Sequence, residues 1–154
     1  MSHDVHSHMM TMTPLQKAAG LVGAVFLLVG VAGFIPGLTT DFDQLELYGH
    51  ESEAALLGIF HVSVLHNLVH IGFGVAGLAL ARSWEGSRAF LIGGGVIYLA
   101  LALYGALIDR HSEANFVPMN IADNWLHLAL GVGMVLLGLV VPGHRVDLRD
   151  RSAH

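Results

Sequence analysis

The stretch that decides the fold is residues 54–81, AALLGIFHVSVLHNLVHIGFGVAGLALA, which contains no Asp, Glu, Lys or Arg. A helix needs about 20 mostly apolar residues to cross the hydrocarbon core of a bilayer. Backbone groups inside that core must be hydrogen-bonded within their own segment, which favours helices over open strands. The stretch is therefore predicted to be a membrane-spanning helix.

Three further apolar stretches, 18–35, 89–108 and 121–141, have the same character, and Asp123 is the only charged residue in them. The sequence therefore predicts an all-α fold, an integral membrane four-helix bundle that forms a single domain over residues 14–142. Residues 1–13 are predicted to be a disordered tail rich in His and Met, and residues 143–154 a second polar tail.

The composition agrees with a membrane protein. Of the 154 residues, 54% are hydrophobic and 12% are charged, and the mean hydropathy is +0.63. Soluble domains carry roughly 25% charged residues, and a small soluble chain needs polar side chains to cover its large surface. The composition therefore excludes a soluble enzyme, a nucleic-acid-binding protein and a disordered chain, and the lipid bilayer is the expected partner. The absence of cysteine excludes disulfides and thiolate sites.

The distribution of cations predicts the topology. Lys17 precedes the first span, and Arg82 and Arg88 flank the short connection between the second and third spans. Three more cations follow the fourth span: Arg145, Arg149 and Arg151. The segment 36–53 has no Lys or Arg and several carboxylates. By the positive-inside rule, both termini of this multi-pass protein are expected in the cytoplasm.

The chain carries an internal repeat. Residues 67–75 (NLVHIGFGV) and 124–132 (NWLHLALGV) share the pattern N-x-x-H-x-x-x-G-V. Spans one and three match more weakly, with Gly23 opposite Gly94. The pattern predicts two parallel two-helix repeats, related by an axis along the membrane normal.

Polar residues form one stripe on the second span and one on the fourth. The stripes comprise His66, Asn67 and His70 on the second span, and Asp123, Asn124 and His127 on the fourth. Ionisable groups inside a membrane are costly and usually face a partner, a cavity or a ligand. The stripes are therefore expected to build a polar site inside the bundle.

The depth and pairing of this site follow from helix geometry. His70 lies about 18 Å along the helix axis from Arg82, which places it close to the membrane midplane. His70 and His127 are expected to face each other. Asp123, one turn before His127, is expected to accept the imidazole N–H and fix the orientation of the ring.

Four interpretations of the site remain open. In the first, the polar side chains hydrogen-bond across the helices and hold the bundle together, and the protein is a non-enzymatic accessory or assembly protein. In the second, it is a proton or small-solute pathway. In the third, His66, His70, His127 and Asp123 bind a non-haem Zn or Fe ion.

The fourth interpretation is an electron-transfer protein that binds a b-type haem. His70 and His127 would be the axial ligands, with His66 as a substitute, and Asp123, Asn67 and Asn124 would support them. The glycines one turn after the ligands, Gly74 and Gly131, would leave room for the macrocycle.

The N-terminal tail offers a separate metal site. It contains His3, His6 and His8 together with three methionines. Imidazoles and thioethers suit copper or nickel.

The runs 66–70 (HNLVH) and 120–127 (NIADNWLH) resemble a family of small four-span bacterial membrane proteins, found mainly in actinobacteria and known as a domain of unknown function. The resemblance covers roughly residues 13–142. It implies an α-helical protein of the bacterial cell (inner) membrane and implies no activity. Glycine-rich helix faces favour a homo-oligomer or a larger membrane complex.

Overall fold

The computed structural model describes residues 12–142, in which four helices form one bundle. The helices are α1 (Pro14–Ala32), α2 (Val64–Leu80), α3 (Trp84–Leu107) and α4 (Ile121–Val140). The most extensive packing joins α1 to α2 and α3 to α4. The predicted all-α four-helix bundle is confirmed. The candidate tail ligands His3, His6 and His8 lie outside the described residues.

Each helix begins at a residue whose side chain caps it. Thr13 and Gln16 form a capping box before Pro14, the first residue of α1. Ser63, Ser83 and Asn120 each accept a hydrogen bond from the backbone N–H three residues further on. These caps satisfy donors that the first helical turn leaves free, and so they fix where the helices start.

Three of the helices, α1, α3 and α4, are long and apolar enough to cross a membrane. The fourth, α2, is apolar but has 17 residues, so it is about 25 Å long. The described bundle therefore indicates a membrane protein.

The second helix is shorter than the predicted span 54–81, because residues 54–62 are not helical and pack over one end of the bundle instead. Ala54, Leu56 and Val62 are buried at 6% exposure or less, packed against Val29 and Ala32 of α1. Their apolar character serves packing between protein segments rather than contact with lipid. Smaller differences affect two other spans, since α1 ends at Ala32 and α3 begins at Trp84.

A small antiparallel sheet builds this cover. Its strands are β1 (Thr39–Thr40), β2 (Ala55–Leu56) and β3 (Phe60–His61), in the order β1-β2-β3. The turn between β2 and β3 places Leu57 at φ 55° and Gly58 at φ 68°. Positive φ at two successive turn residues matches the twist of a tight hairpin, although it strains the non-glycine Leu57. The β2–β3 unit is called the hairpin below.

The apolar core of the bundle lies on the side away from the hairpin. Its buried members are Leu15, Ala19, Phe26, Ala81, Phe90, Leu91, Tyr98 and Met134. The rings of Phe26, Phe73 and Tyr98 pack on one another, with centroids 4.9 to 5.5 Å apart. This core closes the bundle at the end opposite the long connections.

Candidate functional site

A cavity of about 120 Å³ lies beneath the hairpin, between α1, α2 and α4. Its polar lining consists of His66, Asn67, His70, Asp123 and His127. Its apolar lining comes mostly from the hairpin and its flanks: Leu56, Leu57, Phe60 and Val62, with Val29 and Leu126. The structure thus brings together five of the six residues predicted for the site. It also covers them with the hairpin, which the sequence did not predict.

The three imidazole rings lie close together. The ring of His66 stacks on that of His70 at a centroid distance of 4.5 Å, and it lies 6.4 Å from that of His127. Each of these side chains is at most 8% exposed. The structure thus brings histidines of α2 and α4 together, and His66 is the ring that lies beside both of the others.

Several polar atoms in the cavity wall have no hydrogen-bond partner among residues 12–142. They are Nδ1 of His66, Nδ2 of Asn67 and Nδ1 of His127. His70 differs, since its Nδ1 lies 3.0 Å from the His66 carbonyl oxygen of the same helix. The His66 ring is also hydrogen-bonded to the backbone of Pro118, so only its Nδ1 is unpartnered. An unpaired buried polar atom costs about 1–3 kcal/mol. The cavity is therefore lined by atoms that can bind a guest and do not bind one another.

Asp123 does not contact His127 as expected. Its Oδ2 accepts hydrogen bonds from the backbone N–H of Asn120 at 3.0 Å and of His61 at 3.1 Å. Asn120 in turn donates from Nδ2 to the Ile59 carbonyl at 2.7 Å. Asp123 therefore completes a capping box at the start of α4 and links the hairpin to that helix, through backbone donors and not through the His127 imidazole.

Asn124 also departs from the prediction, because it lies outside the cavity. Its side chain packs against Gly105 of α3 and lines a groove of about 390 Å³ on the outer surface of α3 and α4, beside Trp125. Asn67 packs in the same way against Gly33 at the end of α1. The two asparagines therefore fill equivalent positions against glycines, and only Asn67 also reaches the cavity.

The glycines that follow the histidines hold helices together and leave no room for a macrocycle. A methyl group at Gly74 would come within 2.7 Å of the Gly23 carbonyl oxygen, and one at Gly131 within 2.9 Å of the Leu99 backbone nitrogen. These positions are filled by backbone of α1 and α3. The space expected for haem beside Gly74 and Gly131 is thus occupied by neighbouring helices.

The contacts of α1 and α3 are equivalent, with Gly95 of α3 in the position of Gly23 of α1. Gly23 meets Gly74 on α2, and Gly95 meets Gly131 on α4. The alignment of Gly23 with Gly94 is therefore wrong by one residue, since Gly94 meets the side chains of Phe73 and Met134 instead. The weak similarity of α1 and α3 did not fix their register.

Aromatic contacts repeat in the same register. The ring of Phe26 lies 5.5 Å from that of His70, and the ring of Tyr98 lies 5.3 Å from that of His127. Phe26 and Tyr98 also contact each other at 5.1 Å. Each histidine is thus supported by an aromatic ring of the preceding helix. The sequence did not distinguish Phe26 and Tyr98 from ordinary core residues, because both lie at apolar positions with helical spacing.

The site lies nearer the hairpin end of the bundle than expected. His66 is the third residue of α2, and His70 and His127 are the seventh residues of their helices. At 1.5 Å per residue, the two latter side chains lie about 10 Å from the helix starts. The predicted depth rested on the distance of His70 from Arg82 alone, whereas α2 begins at Val64 and leaves only six helical residues before His70 on the hairpin side.

A second, larger cleft lies on the hairpin side of α4. It measures about 430 Å³, and its lining includes His50, His61 and His111, with Arg110 and Asn120. The sequence prediction did not include these histidines, which lie in connections far apart along the chain. Among residues 12–142, no group of three or more His, Asp or Glu side chains is arranged to hold a metal ion.

Comparisons with known proteins place the chain in a family. The sequence model of a family described as domain of unknown function (DUF4383) matches residues 16–140. No curated protein and no solved structure matches the chain. The match covers most of the chain, and the chain therefore belongs to the DUF4383 family.

Proposed function

We propose that this member of the DUF4383 family is a non-enzymatic accessory protein of the bacterial cell membrane that holds a small polar ligand in its histidine-lined cavity. The observation that carries the proposal is the set of unpartnered atoms on His66, Asn67 and His127 in that cavity. The cavity volume of about 120 Å³ suits a guest of a few heavy atoms, well below the roughly 300–1,000 Å³ of pockets for drug-sized ligands.

The proposed topology places the hairpin and the cavity at the outer face of the membrane. Lys17 precedes α1, and Arg82 and Arg88 flank the turn between α2 and α3. The long connection between α1 and α2 carries five carboxylates and no cation. Because cations are retained on the cytoplasmic side, both termini are assigned to the cytoplasm.

The bundle is proposed to be a duplicated two-helix unit. The support comes from equivalent features: Ser63 and Asn120 cap α2 and α4 at matching positions of the repeat, and the glycine and aromatic contacts of α1 recur in α3. The connection in the first unit, 33–63, is longer than the connection in the second, 108–120. That longer connection contains the hairpin, which covers the cavity.

The interpretation in which the polar side chains hydrogen-bond across the helices and hold the bundle together has less support. That interpretation requires hydrogen bonds across the helices, yet Nδ1 of His66, Nδ2 of Asn67 and Nδ1 of His127 have no partner within residues 12–142, and the His66 ring bonds instead to the backbone of Pro118 in the connection before α4. Helix contacts are made instead by close-packed glycines such as Gly23 and Gly95. Polar groups that stabilise a fold are normally paired, whereas these are arranged as a binding site is.

Haem is a poor fit to the site. The cavity is smaller than any pocket for a drug-sized molecule, and a haem is of that size. The axial pair His70 and His127 could accept a macrocycle only if α2 and α4 moved apart. No electron-transfer step is therefore assigned to this chain.

A partner in the membrane is a further part of the proposal. Gly72, Gly93 and Gly133 lie on helix surfaces where no other part of the described chain approaches within 4 Å of an added methyl group. Small residues on exposed faces allow another helix to approach closely. These positions suit a second copy of the chain or a larger membrane complex.

The proposal is tested by replacing the unpartnered histidines with leucine, in His66→Leu and His127→Leu. A ligand site retains polar groups at a cost in stability, so each variant is expected to be more stable by about 1–3 kcal/mol. Thermal unfolding of purified protein in detergent, freed of small molecules by dialysis, measures the change. An increase of about 2–4 °C in Tm corresponds to each kcal/mol.

Ser87→Ala is the matched control. Ser87 is fully buried, and its Oγ donates to the Ser83 carbonyl at 2.7 Å. Loss of that paired group is expected to lower stability by about 0.5–1.5 kcal/mol. If the two histidine variants lose stability as Ser87→Ala does, the polar groups hold the bundle together and the binding proposal is wrong.

A further inference from the structure

The cavity is closed on the side away from the hairpin. Phe26 and Tyr98 lie directly against His70 and His127. Beyond them, Phe73 packs on Phe90 at 5.0 Å, and the apolar core continues to the far end of the bundle. Water and ions are excluded from such closely packed apolar regions. The cavity is therefore closed at its inner end by apolar side chains of the bundle.

The hairpin side is different, because Asp123 accepts hydrogen bonds from two residues of the larger cleft, Asn120 and His61. Asp123 lines the cavity, while its capping partner Asn120 lines the cleft. Both backbone hydrogen bonds of Asp123 go to Oδ2, and Oδ1 accepts none from the described residues. The carboxylate thus lies at the boundary between a buried space and an open one.

The volume and lining of the cavity suit water. At roughly 30 Å³ for each molecule, the cavity takes about four waters, and each requires two to four polar partners. The unpartnered atoms of His66, Asn67 and His127 and the free oxygen of Asp123 supply such partners. Ordered water joining an imidazole to a carboxylate is a route for proton transfer.

We infer that the cavity holds a water cluster through which Asp123 and the three histidines bind protons taken up from the hairpin face alone. The inference rests on the proposed function, because it names the ligand of that site. The titratable groups facing the cluster are His66 and His70 from α2, and Asp123 and His127 from α4. From α3, Tyr98 touches His127, while α1 and the hairpin line the cavity with apolar side chains. His61 of the hairpin bonds Asp123 through its backbone N–H, and its side chain lines the cleft.

This arrangement differs from a pathway across the membrane. A conduit needs polar groups or water on both sides of the site, whereas the aromatic rings close one side here. A proton that enters past Asp123 must leave by the same way. The expected behaviour is reversible proton uptake without transport.

The first test is nuclear magnetic resonance of the full chain, labelled with ¹⁵N at histidine and embedded in lipid nanodiscs. Cross-peaks from water protons to the imidazole nitrogens of His66 and His127 are expected, and single His→Gln variants assign the signals. The signals of the three cavity histidines are expected to change together with pH. In Asp123→Asn their midpoint moves by about one pH unit, the effect of removing a neighbouring charge.

The second test is proton flux into liposomes that contain a trapped pH-sensitive dye. Liposomes with the protein are expected to equilibrate no faster than empty ones. Flux above that of empty liposomes, abolished in Asp123→Asn, would show a pathway and overturn the inference.

The results separate this inference from the proposed function. If the cavity imidazoles show no water contact and His66→Leu still gains stability, the site holds another small ligand, and only the proton inference is wrong. If His66→Leu loses stability as well, both proposals fail.

Discussion

At the scale of single residues, glycines determine how closely the helices approach and therefore where the cavity forms. Gly95 of α3 faces the backbone of α4, where an added methyl group would lie 2.9 Å from the Gly131 carbonyl oxygen. Gly93, in the same helix, has no neighbour within 4 Å of the same methyl group. Two glycines in one helix thus differ only in what they face.

This difference predicts opposite effects of the same substitution. Gly95→Ala is expected to push α3 from α4 and destabilise the protein by about 1–3 kcal/mol, the usual cost of overpacking. Gly93→Ala should be neutral or stabilise by up to about 1 kcal/mol, because alanine favours the helix. Thermal unfolding in detergent measures both, and equal effects of the two substitutions would rule out this packing.

The polar residues could be predicted from the sequence better than their partners could. The helical spacing of His66 and His70 predicted that they share one face of α2, since side chains three or four residues apart lie on one helix face. The N-x-x-H repeat predicted that His127 joins them. The partner of Asp123 was not predictable in this way. Its hydrogen bonds go to backbone groups of Asn120 and His61, and His61 reaches it only because the chain folds back as a hairpin.

At the scale of elements, the segment 54–63 shows the limit of hydropathy. Its residues are as apolar as those of α2, and a continuous apolar run does not distinguish lipid contact from burial under protein. Two local signals mark the boundary: Gly58, which the tight turn uses at positive φ, and Ser63, which caps α2. The apolar stretches missed the starts of α1, α2 and α3, which such caps mark locally, whereas the hairpin that covers the cavity depends on long-range packing.

The register of α1 against α3 shows the same limit. The conspicuous N-x-x-H pattern aligned α2 with α4 in a register at which Ser63 and Asn120 also correspond. The α1–α3 alignment rested on common apolar residues and was wrong by one position. The equivalence of Phe26 with Tyr98 becomes visible only through their contacts with the histidines.

At the scale of the whole molecule, the proposed topology makes a prediction that the cysteine-free chain is well suited to test. Ala114 lies in the exposed connection on the hairpin side, and Glu85 is exposed near the turn between α2 and α3. A membrane-impermeant maleimide applied to intact cells is expected to label Ala114→Cys and to leave Glu85→Cys unlabelled until the cells are opened. The reverse pattern would invert the molecule in the membrane.

The central claim concerns what occupies the cavity under the hairpin, and it is tested most directly by a structure of the lipid-embedded protein at a resolution that shows ordered water. The account predicts non-protein density within hydrogen-bonding distance of Nδ1 of His66, Nδ2 of Asn67 and Nδ1 of His127. A structure in which these atoms bond to neighbouring helices, with no space left between them, would contradict the claim.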